Sequence, residues 1–356
     1  MAYASGYFKT GYAVELRLVE TRLQWTSLAA LLVLLAAFPF VAPAFVIGIA
    51  NQVFLAIVGA AALMLLMGYA GQISLGHAGL LAAGALSTGI LFKETGAAFW
   101  VTLPASAAVG ALLGVVFGLP SLRLKGLYLA VTTLALHFVV AFVGGEYETR
   151  RGFSSGIVIP PPSLGSFTLV EQSHWYFLLL ALDVLVILFC LNLLRSRTGR
   201  ALIAIRDHDV VAEALGIPVR QHKLAAFVIS STLTSIAGSV LAYYRGFVSI
   251  EAFTLYLTID YVAMVIIGGM GSMLGVVLGA AFVVSFPHVI EALVRSIPWS
   301  QAIANEIFAV NYAAFGLIMI LFLVFEPLGL VGIWRRVRNY FLLWPFRQTT
   351  VGGGGA

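Results

Sequence analysis

Long apolar runs separated by short polar stretches occupy most of this chain. Ten of the runs approach or reach the length of a membrane-spanning helix, which needs about 17–25 predominantly apolar residues. They cover residues 27–43, 44–67, 73–92, 97–119, 126–144, 174–194, 222–244, 256–271, 273–293 and 308–326. The pattern predicts an all-α polytopic membrane protein with about ten transmembrane helices. The eighth and ninth are the hardest to separate, because Gly268, Gly269, Gly271 and Gly275 surround their turn.

Composition supports this class. Of the 356 residues, 61% are hydrophobic and only 10% are charged, which is too little polar surface for a soluble domain of this length. The single cysteine, Cys190, excludes an intrachain disulfide. No basic stretch is interleaved with aromatic residues, so we expect no nucleic-acid partner.

The distribution of basic residues predicts how the chain is oriented. If the N-terminus is cytoplasmic, the outer side carries only five of the 20 basic residues, namely Lys93, Arg150, Arg151, Arg245 and Arg295. The other basic residues then lie on the cytoplasmic side, as the positive-inside rule requires. We therefore expect a multi-pass membrane protein with both termini in the cytoplasm.

The chain is predicted to form one transmembrane domain with distinct flanking segments. These are a cytoplasmic or interfacial N-terminal segment (1–26), the transmembrane domain (27–326) with an outer loop (145–173) and a cytoplasmic loop (195–221), and a cytoplasmic C-terminal tail (327–356). Tyr12, Leu16 and Val19 share one helical face, which is typical of an interfacial helix, although a partly ordered tail is the alternative. We read the first apolar run as an uncleaved helix, because Glu15 and Glu20 precede it.

The stretch "GYAGQISLGHAG", from Gly68 to Gly79, is unexpectedly polar for a membrane segment. We predict that a helix breaks there and that a new one starts around Ser74, because broken helices are tolerated where they face protein or a water-filled cavity. The candidate pathway or helix-break residues are Gly71, Gln72, Ser74, Gly76 and His77. Alternatively, the glycines permit close helix packing and His77 is a hydrogen-bonded packing residue.

The cytoplasmic loop has the pattern of two short amphipathic helices. Residues 199–206 form the first, Asp207 or Asp209 caps the second, and Gly216 and Pro218 end it. Two such helices form a firm projection that fits a groove on a soluble partner. The alternative is an interfacial loop whose arginines only set the membrane orientation.

Several ordered motifs resemble one known family. They are "GYAGQISLGHAG", "LRLKGLYLAVTTLA", "GRALIAIRDHDVVAEALGI" followed by "KLAAFVISSTLTSIAGSVLA", and "FEPLGLVGIW". From about Asn51 to Trp334, the chain resembles the M-type permease subunits of bacterial ABC importers for branched-chain amino acids. The resemblance implies a type II-like importer permease whose cytoplasmic loop docks on an ATPase. It places in this coupling loop Arg206, Asp207, Glu213, Ala214 and Gly216.

The resemblance also implies the partners: a related H-type permease subunit forming a heterodimer, two ATPase subunits and a periplasmic substrate-binding protein, all within membrane lipid. No P-loop motif occurs, and the dipeptide Gly-Lys is absent, so ATP and Mg²⁺ belong on the ATPase subunits and no cofactor is expected on this chain. The binding protein would dock on the outer loop near Glu146, Arg150, Arg151 and Ser154. The alternative for that loop is ordinary solvated surface.

The predicted function is import of branched-chain or related hydrophobic amino acids by alternating access, driven by the separate ATPase. One alternative is an ion-coupled secondary transporter of a small solute, with Asp183 in mid-membrane as the coupling acid, unless Asp183 is neutral or paired. Another is an ABC permease for urea or amides, since "RRGFSSGIVIP" departs from the branched-chain pattern. No H-E-x-x-H or C-x-x-C motif occurs, so neither an enzyme nor a metal site is expected.

Overall fold

The computed structural model describes residues 22–122, 124, 126–153, 156–164, 167–296, 307–326 and 328–343. Within these ranges the chain is helical apart from short connections and four two-residue strands. The helices are α1 (Arg22–Val41), α2 (Ala44–Leu63), α3 (His77–Thr95), α4 (Phe99–Ser121), α5 (Leu127–Arg151), α6 (Gln172–Arg195), α7 (Arg197–Asp207), α8 (Asp209–Ala214), α9 (Val219–Arg245), α10 (Leu255–Gly268), α11 (Met273–Ser296), α12 (Ile307–Phe325) and α13 (Gly329–Leu343). The all-α membrane class predicted from the sequence is confirmed.

The strands all lie on the connections at one end of the bundle. β1 (Ile157–Val158) pairs antiparallel with β4 (Phe247–Val248), and β2 (Ser163–Leu164) forms a hairpin with β3 (Phe167–Thr168). The β1–β4 pair joins the segment after α5 to the segment after α9. The outer loop therefore contains a small ordered element, and we call this end of the bundle the strand end.

The opposite end, which we call the α7 end, gathers the connections after α2, α4, α6 and α10. The Arg206 side chain of α7 contacts the segment after α2 at Gly68 and lies beside Gly271 in the turn between α10 and α11. Gln72 bonds to the backbone of Lys223 in α9. Segments that the charge pattern assigns to the same membrane side therefore meet at the same end.

The core is centred on α2, α3 and α9. α9 packs along α4, α3 and α2, while α2 also packs along α6 and α11. The stretch from Ala60 to Leu65 is fully buried, so this part of α2 has protein on all sides. A helix that is apolar all round is expected at such a position.

The number of membrane crossings differs from the sequence estimate. Among the described residues, seven helices are long and apolar enough to cross a membrane by length and composition, or eight if the bent pair Tyr312–Phe325 and Gly329–Tyr340 is counted as one span. The count of about ten is therefore not confirmed. α1 contributes a shorter apolar helix, and α3 carries polar residues at both of its ends.

Two boundaries also differ from the prediction. α5 runs to Arg151, about two turns beyond the predicted end at residue 144, so the polar stretch "GEYETRR" is helical and the outer connection is shorter than 145–173. α3 begins at His77, three residues after the predicted start at Ser74. α5 ends before Gly152, which has the left-handed conformation typical of a glycine after a helix. At the start of α3, by contrast, the backbone bonds to side chains of two other helices.

Candidate functional site

The predicted helix break is present between α2 and α3. α2 passes into a π-helical segment (Met64–Tyr69), and the chain then runs without helical bonding until His77. Gly71 has a φ of 65°, a left-handed conformation that glycine adopts without steric cost. π-helical turns are rare and are frequent at functional sites. The break is therefore a feature of the fold and not an artefact of hydropathy.

Neighbouring helices complete the hydrogen bonding at the start of α3. The Leu75 N–H donates to Thr133 Oγ1 of α5 at 2.9 Å, and the Ala78 N–H donates to Thr258 Oγ1 of α10 at 3.0 Å. Unpaired backbone groups inside a membrane cost several kcal/mol each, so these two threonines stabilise the break. The break thus faces protein, which is one of the two environments in which a membrane protein tolerates non-helical backbone.

The polar side chains of the break are buried. Gln72 Nε2 donates to the Lys223 carbonyl at 3.0 Å, which ties the break to α9. Ser74 and His77 are each 1% exposed, and among the described residues neither Ser74 Oγ nor His77 Nε2 has a hydrogen-bond partner. The His77 ring lies 4.7 Å from that of Tyr261. In this conformation His77 is packed inside the bundle.

The glycines of the motif also serve close packing. A Cβ on Gly76 would overlap the Thr133 carbonyl oxygen, and one on Gly79 would come within 2.6 Å of the His137 Cα. α3 therefore approaches α5 at backbone distance. The packing role of the glycines and the helix break occur together, so the two interpretations left open by the sequence do not exclude each other.

The loop predicted to be cytoplasmic, residues 195–221, forms the two predicted short helices, α7 and α8. Ser196 caps α7, since its Oγ accepts the Gly199 N–H at 3.3 Å. The predicted cap of α8 was wrong: His208 precedes it without a side-chain cap, and Asp209 is its first residue. Gly216, with a φ of 83°, follows α8 as predicted.

α8 presents an apolar face away from the bundle. Ala212 is buried, whereas three large side chains and Glu213, Ala214 and Gly216 are exposed. The large ones are Val210 (70% exposed), Val211 (55%) and Leu215 (76%). An apolar patch rimmed by polar residues marks a contact surface. We call Val210, Val211 and Leu215 the α8 patch.

Arg206 points inward and connects three segments. Its Nη1 donates to the Gly68 carbonyl at 2.7 Å, and its Nε and Nη2 donate to Asp207 Oδ1 at 2.9 and 2.8 Å. Its side chain also lies against Gly71 and Gly271, where a Cβ would come within 3.0 and 3.1 Å. Asp207 thus orients the guanidinium, and Arg206 joins α7 to the helix break and to the turn between α10 and α11.

A cavity of about 160 Å³ lies beside this junction. Gly71, Gln72, Asp209 and Lys223 contribute its polar wall. Lys223 Nζ lies 3.5 Å from Asp209 Oδ2, and this ion pair links α8 to α9. The predicted break residues Gly71 and Gln72 and the cytoplasmic loop are therefore in contact. Sequence reasoning missed Lys223 and Gly271, whose only signals were a basic residue at a helix start and a glycine-rich turn.

Of the four residues predicted to dock a binding protein, the three that the structure describes lie at the strand end. Arg150 Nε is 2.6 Å from Glu146 Oε1, and Arg151 Nη2 is 2.8 Å from Glu94 Oε1. These pairs are largely exposed and are worth little in stability. Ser154 lies outside the described residues. Glu146 and both arginines form a charged surface on the last turns of α5.

Asp183 and Asp260 are two of the acids within the membrane-spanning helices. Asp183 of α6 is 3% exposed, and its carboxylate oxygens have no hydrogen-bond partner among the described residues. Asp260 of α10 borders a separate cavity near the strand end. No group of three or more His, Cys, Asp or Glu that could hold a metal ion occurs in the part of the chain that the structure describes.

Comparison with known proteins finds permease proteins of branched-chain amino acid transport and of autoinducer 2 import. Residues 45–324 match the family described as "Branched-chain amino acid transport system / permease component". The chain is 30% identical to the high-affinity branched-chain amino acid transport system permease protein LivM of Escherichia coli (strain K12), over 86% of this chain and 75% of that protein. It is 30% identical to the probable branched-chain amino acid transport permease protein LivM of Methanocaldococcus jannaschii, over 64% of this chain and 66% of that protein. The probable permease LivH of the same archaeon is 24% identical, over 70% and 80%. No solved structure matches.

Proposed function

Because the chain belongs to the family of permease components of branched-chain amino acid transport systems, we propose that it imports leucine, isoleucine or valine as one half of an ATP-driven transporter. The observation that carries this proposal is the junction at Arg206, where an exposed pair of short helices is joined to a broken transmembrane helix. A permease moved by a separate motor needs such a connection between a docking surface and the membrane core.

The proposed complex contains this chain, an H-type permease, two ATPase subunits and a periplasmic binding protein in the bacterial inner membrane. Its α7 end faces the cytoplasm, in agreement with the distribution of basic residues. The absence of a P-loop sequence supports a separate ATPase that carries ATP and Mg²⁺. The similarity to both LivM and LivH proteins supports a pair of related permeases.

The proposed roles of the coupling residues divide into two groups. The α8 patch, with Glu213, Ala214 and Gly216, contacts the ATPase because these residues are exposed at the α7 end. Arg206 and Asp207 transmit the movement, since the guanidinium contacts the Gly68 carbonyl. Gly71, Gln72, Ser74, Gly76 and His77 form the hinge region that changes shape during alternating access, and Glu146, Arg150, Arg151 and Ser154 receive the binding protein.

Transport is tested by uptake of labelled leucine into proteoliposomes that contain all the proposed subunits and are loaded with ATP or with ADP. We expect leucine to accumulate with ATP and to remain at background with ADP. If the ATPase subunits copurify and hydrolyse ATP but no leucine enters, the substrate assignment is wrong. Uptake that follows a proton or sodium gradient without ATP would instead support the secondary transporter.

Docking of the ATPase is tested by the substitution Leu215→Asp. We expect at least about tenfold weaker association with the ATPase subunit, because a charge buried in an interface without a partner costs several kcal/mol. The matched control is Val158→Asp, since Val158 is similarly exposed, at 73% against 76%, but lies at the strand end. Copurification from detergent measures both. Equal losses of ATPase from the two variants would contradict the assignment of the α8 patch.

A further inference from the structure

A second cavity, of about 240 Å³, lies between α10, α11 and α12 near the strand end. Tyr256 and Asp260 line it from the first two turns of α10, and Tyr312 lines it from the second turn of α12. Tyr256 is 39% exposed and Tyr312 is 55% exposed, so the two tyrosines flank its mouth. The cavity is distinct from the junction at Arg206, which lies at the opposite end of the bundle.

Two polar groups of this cavity can only accept hydrogen bonds when the acid is ionised. The first is the carboxylate of Asp260, which lies one helical turn after Tyr256 in α10 and has two acceptor oxygens. Pro287 has no N–H, so the carbonyl of Val283, four residues earlier in α11, lacks its helical donor. Val283 and Pro287 both line the cavity. Asp260, which carries the carboxylate, and Val283, which carries the freed carbonyl, therefore line the same cavity.

Aromatic rings form the walls. The rings of Tyr256 and Tyr312 meet edge to face at 4.9 Å, and those of Phe286 and Phe315 lie 6.4 Å apart. Such rings offer apolar contact to an aliphatic group, and their faces attract cations. Among the described lining residues there is no lysine, arginine or histidine, and the only side-chain donors are the tyrosine hydroxyls. A fitting ligand therefore supplies the positive charge.

We propose that this cavity binds the ammonium group of the hydrophobic amino acid on its way into the membrane. The proposal rests on the function proposed above. The ammonium donates to the Asp260 carboxylate and to the Val283 carbonyl, and the aliphatic side chain packs against Phe286 and Phe315. The substrate carboxylate remains at the mouth between the tyrosines. The position suits this role, because the strand end is the predicted outer side, where a binding protein delivers its cargo.

The same primary ammonium occurs in the phosphatidylethanolamine headgroup, so the experiment separates the two sources. The complete importer is placed in nanodiscs of phosphatidylcholine and phosphatidylglycerol, with and without phosphatidylethanolamine. Binding is measured for labelled leucine and for isoamylamine, which has the leucine side chain and an amine but no carboxylate. Leucine uptake with ATP gives the KM in the same lipids.

We expect Asp260→Asn to weaken binding of both probes at least about tenfold and to raise the KM for leucine similarly, because the amide still accepts a hydrogen bond but no longer carries the negative charge that pairs with the ammonium. Pro287→Ala returns an N–H to the Val283 carbonyl and should weaken binding in the same direction, while alanine keeps the helix intact. The control is Glu291→Gln, an acid one turn further along α11 that does not line the cavity. Thermal unfolding of each variant excludes loss of fold as the cause.

The outcomes are separable. Unchanged affinity for both probes in Asp260→Asn overturns the proposal, as does an equal loss in Glu291→Gln. If phosphatidylethanolamine in the nanodisc prevents the Asp260-dependent binding of isoamylamine, and leucine binding does not depend on Asp260, the site binds lipid and the substrate assignment is wrong. If the wild-type importer shows no ATP-dependent leucine uptake, the proposed function fails, whereas isoamylamine binding still decides whether the cavity recognises an ammonium group.

Discussion

Replacing Arg206 by glutamine is expected to abolish ATP-driven leucine uptake while leaving the ATPase subunits attached. The shorter neutral side chain loses the charged hydrogen bond to the Gly68 carbonyl, which is 2.7 Å long in the native chain. It also loses the paired bonds to Asp207. A hydrogen bond to a charged group contributes about 1.5–3 kcal/mol, so we expect uptake to fall at least about tenfold. ATP hydrolysis should continue, uncoupled from transport.

The matched control is Arg197→Gln, because Arg197 lies on the same helix with an exposed side chain. It should keep uptake, hydrolysis and copurification. Arg206→Lys tests geometry separately from charge: lysine retains the charge but not the planar fork that contacts Gly68 and Asp207 together, so it should rescue only part of the uptake. If Arg206→Gln releases the ATPase while Arg197→Gln retains it, Arg206 is a docking residue, as the family resemblance implied. The loss of uptake would then come from lost docking and not from the broken contact with Gly68.

Local signals predicted much of the fold and of the two short helices α7 and α8. Glycine at positions 68 and 71 predicted the helix break, and Gly216 with Pro218 predicted the end of α8, because both depend on backbone conformations that a few neighbouring residues determine. The amphipathic pattern of residues 199–206 predicted α7 for the same reason. The basic residues predicted which connections share an end of the bundle, because consecutive membrane-spanning helices run in opposite directions.

Long-range contacts were not predictable in the same way. The hydrogen bond from Arg206 to Gly68 spans 138 positions, and nothing local distinguishes an arginine that turns inward from one that faces a partner. The start of α3 at His77 depends on Thr133 and Thr258, which lie on two other helices. The cavity at Asp260 needs α10, α11 and α12 side by side. In each case the missing information is which helix faces which, and hydropathy does not contain it.

The second large effect concerns helix packing, and we expect Gly84→Ala to destabilise the membrane domain strongly. A Cβ on Gly84 would overlap the Ser235 carbonyl of α9, and one on Gly238 would overlap the Leu81 carbonyl of α3. Small residues on both helices thus permit contact at backbone distance. Two hydrogen bonds use this proximity: Ser235 Oγ donates to the Leu80 carbonyl at 3.1 Å, and Thr88 Oγ1 donates to Ser239 Oγ at 2.7 Å.

Because a backbone carbonyl cannot move aside as a flexible side chain does, the added methyl group must separate α3 from α9. Overpacking costs about 1–3 kcal/mol in well-packed cores, and the strained hydrogen bonds add to it, so we expect the melting temperature in detergent to fall by roughly 2–5 °C. Gly48→Ala in α2 is the control, since a Cβ there meets nothing within 4 Å. Alanine exceeds glycine in helix propensity by about 1 kcal/mol, so this control should be neutral or stabilising. Equal melting temperatures for the two variants would show that α3 and α9 can move apart without cost. The close contact between the two helices would then not contribute to the stability of the membrane domain.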